Sequence, residues 1–177
     1  VLRDEADVEF LGYDLLETRS SYVTKFRTVN FKGQDQFQLV LNRTPFYPEG
    51  GGQVGDQGWM TFGDEEIRVL DTKKENTLVI HILEKLPENI EDESVVCRVD
   101  TLRRRLTESN HSATHLLHAA LRSVLGTHVQ QKGSYLDDSA LRFDFQHFQK
   151  VNDDELARIE QIVNEKIREN IALDEAR

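Results

Sequence analysis

Two hydrophobic periods divide this sequence, and the point where one replaces the other limits what the chain can fold into. From Thr101 to Leu125, apolar residues recur at helical spacing: Leu102, Leu106, Ala113, Leu116, Leu117, Ala120, Leu121 and Val124. Asp100 is placed to cap that helix and Gly126 to stop it. Before it the pattern alternates. Tyr22 to Phe31 puts Tyr22, Thr24, Phe26, Thr28 and Asn30 on one face, and Gln36 to Asn42 puts Phe37, Leu39 and Leu41 on one face. Lys32-Gly33-Gln34-Asp35 reads as the hairpin turn between them. Trp59–Phe62, Glu66–Asp71, Thr77–Leu83 and Ser94–Val99 are further short strands. Short strands at this spacing suggest a small β-barrel. Leu141–Phe145 alternates once more, and Asn152 with Glu155 forms a capping-box pattern. The last helix then carries Ile159, Ile162, Val163, Lys166 and Ile167 as its stripe.

The expected fold class is therefore α+β. A lead-in and a β-barrel occupy residues 1–98, and an α+β unit occupies residues 99–177. The first twenty residues are mixed and acidic and read as a lead-in. With 177 residues, 38% hydrophobic and 31% charged, the composition is that of a globular domain with room for a core. No apolar run approaches the ~20 residues that cross a bilayer, and no basic, apolar leader opens the sequence. Cys97 is the only cysteine, so no internal disulfide forms, and a reducing, cytoplasmic setting is expected. The first residue is Val1 and the only methionine is Met60, so the sequence reads as a fragment of a longer chain, or as a processed one. Net charge is −10, which works against general affinity for nucleic acid. Arg98 to Lys132 is the exception: six basic residues against two acidic ones give +4, leaving −14 for the remainder.

Two stretches carry chemistry. His111 and His115 lie four positions apart on the first helix, so both imidazoles point to one side and can reach one zinc ion. Zinc takes four ligands, or three and a water, and two histidines supply only half of that set. Cys97 reads as a small buried residue rather than as a third ligand. His81, His128 and His147 stand alone in strands or loops and read as structural. The second stretch, Pro45 to Gly58, holds five glycines and two prolines. It lacks the Gly-Lys-Ser/Thr of a phosphate loop and the helix of a dinucleotide fingerprint. It is either a tight crossover packed by Phe46 and Tyr47 or a loop that faces a ligand.

Taken together, these stretches resemble the alanyl-tRNA synthetases. Thr44-Pro-Phe-Tyr-Pro-Glu-Gly-Gly-Gly-Gln-Val-Gly-Asp, His111-Ser-Ala-Thr-His-Leu-Leu-His-Ala-Ala-Leu, His128-Val-Gln-Gln-Lys-Gly-Ser and Leu141-Arg-Phe-Asp-Phe occur in that order and spacing in the family. Free-standing proteins that deacylate mischarged alanine tRNA share the pattern. Phe10-Leu-Gly-Tyr ahead of the barrel favours the synthetase.

The resemblance implies a barrel like the second domain of translation elongation factors. It implies an α+β editing domain shared with threonyl-tRNA synthetase, incomplete here. It assigns zinc to His111 and His115 together with a downstream Cys-x-x-x-His pair that has no counterpart in this sequence. It makes Gln131 and Thr114 the catalytic pair of the editing pocket, with the Thr114 hydroxyl meeting that of a wrongly attached serine. Gly50, Gly51, Gly52, Gln53, Arg103, Arg104 and Lys132 are placed on the substrate side. The implied partner is tRNA for alanine mischarged with serine or glycine, with no role for DNA or membrane. ATP and Mg²⁺ belong to a charging domain outside these residues. A non-enzymatic tRNA-binding module stays open as an alternative, motivated by Arg103, Arg104 and Arg105.

The chemistry behind such a site is simple. A pocket for alanine rejects serine poorly, because one added hydroxyl changes binding little, and a second, hydrolytic site repairs the error. Gln131 has no useful pKa, so it positions groups and cannot act as a base. The fragment alone is expected to be weak or inactive.

Overall fold

The computed structural model describes residues 2, 8–91 and 94–170. The fold is α+β, a large antiparallel sheet with two helices. The chain divides into two compact units, Val1–Arg105 and Leu106–Arg177.

In the first unit the strands are β1 (Glu9–Phe10), β2 (Glu17–Ser21), β3 (Val23–Phe31), β4 (Gln34–Leu41) and β5 (Arg43–Thr44). They continue with β6 (Gly58–Phe62), β7 (Glu65–Glu75), β8 (Leu78–Leu83) and β9 (Val95–Val99). Seven of them form one sheet in the order β2-β9-β6-β7-β8-β4-β3. Its two edge strands, β2 and β3, are consecutive in sequence and separated by Tyr22 alone. The sheet therefore has to curve until its edges meet at that residue. Its inner face holds one apolar cluster, including Val23, Leu39, Leu41, Phe46, Met60, Ile67, Val69, Leu83, Val95 and Val99. All but Phe46, which lies between β5 and β6, are inward members of alternating strands, as in Gly58–Phe62, where buried and half-buried residues alternate strictly.

Three local features depart from the sequence pattern. The acidic lead-in contributes two strands that no alternation marks: Glu17–Ser21 is an edge strand paired with β9, and Glu9–Phe10 runs parallel to Arg43–Thr44. A bulge between Val23 and Lys25 breaks the alternation of β3. Val23 and Thr24 are consequently both buried, and Phe26, which pairs with Leu39, is 37% exposed. The hairpin turn falls on Lys32 and Gly33, one position earlier than expected, with φ of 53° and 82°. Two positive φ values are what a two-residue hairpin turn needs to match the strand twist.

The first helix, α1 (Thr101–Leu125), begins where expected. The Asp100 carboxylate accepts from the Arg103 N–H at 3.1 Å. Gly126 ends it at φ 114°. Leu102 and Leu106, assigned to its apolar stripe, are exposed, whereas Ala120 and Leu121 are buried. In the second unit β10 (Gln130–Leu136) pairs antiparallel with β11 (Leu141–Gln146), followed by α2 (Asp153–Glu169). The capping box forms as read: the Glu155 N–H donates to the Asn152 side chain, and the Asn152 N–H donates to the Glu155 carboxylate. Ala120, Leu121, Val129 and Ile159 make the second core, with Phe143 and Phe145 packed against it. No described helix is long and apolar enough to cross a membrane.

Candidate functional site

The glycine-rich segment starts from a buried histidine. His81 is fully enclosed: its Nδ1 lies 3.1 Å from the Leu39 carbonyl and its Nε2 lies 2.8 Å from Thr44 Oγ1. A carbonyl can only accept, so Nδ1 carries the proton and Nε2 accepts from the Thr44 hydroxyl. The Phe46 N–H then donates to Thr44 Oγ1 at 3.1 Å. Burial pushes the His81 pKa down to about 4, so the ring stays neutral and the relay keeps its polarity. Phe46, fixed by this relay, is 0% exposed in the core. Gly58 makes room for it, since a Cβ there would lie 2.9 Å from the Phe46 ring and 2.1 Å from the Arg98 carbonyl oxygen.

Asp56 closes the segment. Its carboxylate accepts from the Tyr47 N–H at 2.8 Å and from Arg104 Nη1 at 2.6 Å. Arg104 Nη2 donates to the Gly12 carbonyl at 2.9 Å. The Arg104 and Asp56 side chains are only 4% and 6% exposed. Arg104, placed on the substrate side from sequence, is thus committed to holding the segment and the lead-in together. Arg103 is half-buried, and Arg105 is exposed.

Between these anchors, Gly50 and Gln53 bridge each other through backbone hydrogen bonds of 3.0 Å in both directions. Gly51 and Gly52 take φ of 60° and 87°. The three glycines therefore make a two-residue reverse turn, whose positive φ values cost most residues about 1–2 kcal/mol each. Gly51 is exposed at the tip with nothing within 4 Å of where a Cβ would stand. Gln53 is buried.

In the second unit the side chains of interest sit on α1 and β10. Asn110 Nδ2 donates to the Asp137 carbonyl at 2.7 Å, and Arg122 Nη1 donates to the Val129 carbonyl at 2.9 Å. These two bonds pin β10 at both ends, so it runs antiparallel to α1. Neither residue was singled out from the sequence, although Asn110 immediately precedes His111. His111 and His115 meet as expected for positions four apart, with ring centroids 5.2 Å apart and planes 15° from parallel. Two Zn–N bonds of ~2.0–2.1 Å at a tetrahedral angle place ring centroids roughly 5 Å apart, so the separation fits one ion. Stacked rings cannot both aim a nitrogen at it, so at least one ring turns when a metal binds. Burial, and then the neighbouring His115, hold the His111 pKa below the usual imidazole value and favour the neutral form that ligates. Among the described residues no group of three or more His, Cys, Asp or Glu is placed to hold a metal. Cys97 is 0% exposed and burial pushes its thiol up to about 12, so it is not a thiolate.

Thr114 is 5% exposed and its hydroxyl donates to the Asn110 carbonyl at 2.9 Å. With its only proton used, Thr114 Oγ1 faces any further partner as an acceptor. Gln131 is exposed on β10, its amide 3.2 Å from Ser134 Oγ. Lys132, also exposed, is the extra residue of a bulge, since Gln131 pairs with Phe145 and Gly133 with Asp144. Bulges re-aim side chains beside working sites. His128 and His147 join through a 2.9 Å hydrogen bond, with the Phe148 ring stacked 4.4 Å from His128.

Residues 2–103 match the family described as tRNA synthetases class II (A). The chain belongs to that family. It is 57% identical over 177 residues to an alanine–tRNA ligase of Cytophaga hutchinsonii, covering all of this chain and 20% of the relative. The alanine–tRNA ligase of Parabacteroides distasonis is 49% identical over 173 residues, 98% of this chain and 20% of the relative. That of Bacteroides fragilis is 52% identical over 177 residues, again 100% and 20%. The chain therefore spans about a fifth of the length of these relatives. The family match ends at residue 103, ahead of His111, while the likeness to the ligases runs on through α1, β10, β11 and α2.

Proposed function

We propose that this chain is the part of an alanine–tRNA ligase that hydrolyses tRNA for alanine wrongly charged with serine or glycine. The observation that carries the reading is the Thr114 hydroxyl, an enclosed acceptor one position from His115 and three from His111 on the same helix. Serine differs from alanine by one hydroxyl, which is a hydrogen-bond donor. An acceptor with no proton left to give distinguishes that donor from the methyl of alanine. Only a small group can reach an atom this enclosed, which suits a hydroxymethyl side chain.

The other residues follow in their roles. His111 and His115 are two of the four donors of a zinc site, and the resemblance assigns the remaining two to a Cys-x-x-x-His pair that does not occur in this sequence. A zinc ion held there would polarise the ester carbonyl or the attacking water. Gln131 orients the aminoacyl end through its amide and moves no proton. The Gly51–Gly52 tip and Lys132 serve the tRNA. The curved sheet of the first unit is a small barrel, a reading supported by edge strands joined through Tyr22 alone. ATP-dependent charging with Mg²⁺ belongs to the rest of such a ligase, in the cytoplasm.

The test is hydrolysis of seryl-tRNA for alanine by a ligase carrying this chain, with His111 and His115 replaced singly by alanine. Each variant is expected to lose zinc affinity and hydrolysis together while still charging alanine. Variants that retain full hydrolysis would remove the histidines from the site.

A further inference from the structure

We propose that Ser134 is a positioning residue of the candidate site: it holds the Gln131 amide by its nitrogen, so that the amide oxygen receives the α-ammonium of the aminoacyl ester. The inference rests on the editing reading and names the substrate atom that Gln131 meets.

Val129 and Leu136 are 0% and 1% exposed, and they stand seven positions apart. In a regular strand an odd separation puts side chains on opposite faces. Both nevertheless face inward. Val129 lies in the second core, and Leu136 pairs with Leu141, which shares a face with Phe143 and Phe145. The bulge at Lys132 reconciles them by inserting one position. The same insertion acts on the two polar residues beside it. Gln131 and Ser134, three positions apart, would otherwise point to opposite sides. With the bulge, Gln131 stands opposite Phe145 and Ser134 opposite Phe143, so both share the face that packs on the helices.

On that shared face they meet. Gln131 Nε2 donates to Ser134 Oγ at 3.2 Å. Ser134 is half-buried whereas Gln131 is exposed, so the packed face opens to solvent at Gln131. The helix α1 borders this opening. Asn110 and Arg122 hold the backbone on either side of it, at Asp137 and Val129, and Thr114 lies between them on the helix.

The bond to Ser134 fixes the direction of the amide. Its nitrogen is turned toward the serine, and Oε1 lies at the other end with no partner among the described residues. An amide oxygen only accepts. An aminoacyl ester offers one charged donor close to its carbonyl, the α-ammonium, and a hydrogen bond to a charged group is roughly twice as strong as a neutral one. Serine and glycine both carry that ammonium. Ser134 therefore acts on both substrates alike, whereas Thr114 distinguishes them.

The experiment measures kcat and KM for hydrolysis of seryl- and glycyl-tRNA for alanine by an alanine–tRNA ligase carrying this chain. Ser134→Ala is expected to lower kcat/KM about fivefold for both substrates, the scale of one neutral hydrogen bond, and Ser134→Thr, which keeps the hydroxyl, is expected to restore it. Gln131→Ala is expected to lower it about thirtyfold, the scale of a hydrogen bond to a charged group. Gln131→Glu keeps an oxygen in that place and is expected to hydrolyse both substrates better than Gln131→Ala. On N-acetylglycyl-tRNA, which lacks the ammonium, the parent ligase and Gln131→Ala are expected to be equally slow. The proposal is overturned if Ser134→Ala matches the parent, if Ser134→Thr fails to restore activity, or if the loss is confined to one substrate. Gln131→Glu no better than Gln131→Ala, or a Gln131→Ala loss that persists on N-acetylglycyl-tRNA, overturns it too. If any of these arises while His111→Ala abolishes hydrolysis, the editing reading stands and this inference alone fails. A parent ligase that hydrolyses neither substrate overturns both.

Discussion

Acidification should loosen the first unit through one ring, His81. Its folded pKa of about 4 lies below the ordinary 6.5, because burial disfavours the charged form. A group whose pKa is depressed by folding adds stability that is complete above the unfolded value and lost as pH falls through the folded one. The window therefore runs from pH 6.5 down to about 4. A gap of 2.5 pH units at 1.36 kcal/mol per unit corresponds to about 3 kcal/mol across the window, of which about 2 kcal/mol is gone by pH 5. The assay is urea unfolding at pH 7.5 and pH 5, followed by fluorescence of Trp59, the only tryptophan and therefore a reporter of this unit alone. His81→Gln is expected to be less stable than the parent chain at pH 7.5, because Thr44 and Leu39 lose their partner, at about 1–3 kcal/mol. Its deficit should shrink at pH 5, since it has no imidazole to charge. A parent-minus-variant difference that is equal at the two pH values refutes the reasoning. So does an imidazole titration of His81 near 6.5 in the folded chain by NMR.

Other outcomes follow from the same clamps. Arg104→Ala leaves the Asp56 carboxylate buried without its cation and should cost about 3–5 kcal/mol, while Arg104→Met with Asp56→Asn should recover much of it in urea unfolding. Gly52→Val forces a β-branched residue to φ 87° and should cost about 1–2 kcal/mol or more. Asn152→Ala breaks the capping box of α2 and should cost about 1 kcal/mol, readable as faster amide exchange in its first turn.

Much of this fold is written in local patterns. Asp100, Gly126 and the Asn152–Glu155 box mark helix ends because caps are single-residue chemistry. Alternation finds the strands whose inner face is apolar. It misses β10, because Gln130, Gln131 and Lys132 are exposed and no hydrophobic pattern is needed there. It misses β2 for the same reason, since Glu17 and Arg19 face solvent and Thr18 and Ser21 face inward. The β3 bulge buries Val23 and Thr24 side by side, and nothing in the residue types announces one inserted position. Arg104 is the clearest limit. In a run of three arginines no property of the sequence says which one turns into the protein. The answer depends on Asp56, which lies 48 positions away. Of the candidate site, the His111–His115 pair was legible because helical spacing alone brings the rings together. The bond that orients the Thr114 hydroxyl was not, because it depends on which neighbour takes the proton.

The central claim is that Thr114 reads the serine hydroxyl, and it is tested most directly by comparing two substrates. Thr114→Val keeps the shape and removes the acceptor. In an alanine–tRNA ligase carrying this chain, hydrolysis of seryl-tRNA for alanine is expected to fall about tenfold, the worth of one hydrogen bond in a dry site. Hydrolysis of glycyl-tRNA, which has no side-chain hydroxyl to lose, is expected to hold. An equal fall for both substrates, or no fall for either, contradicts the account.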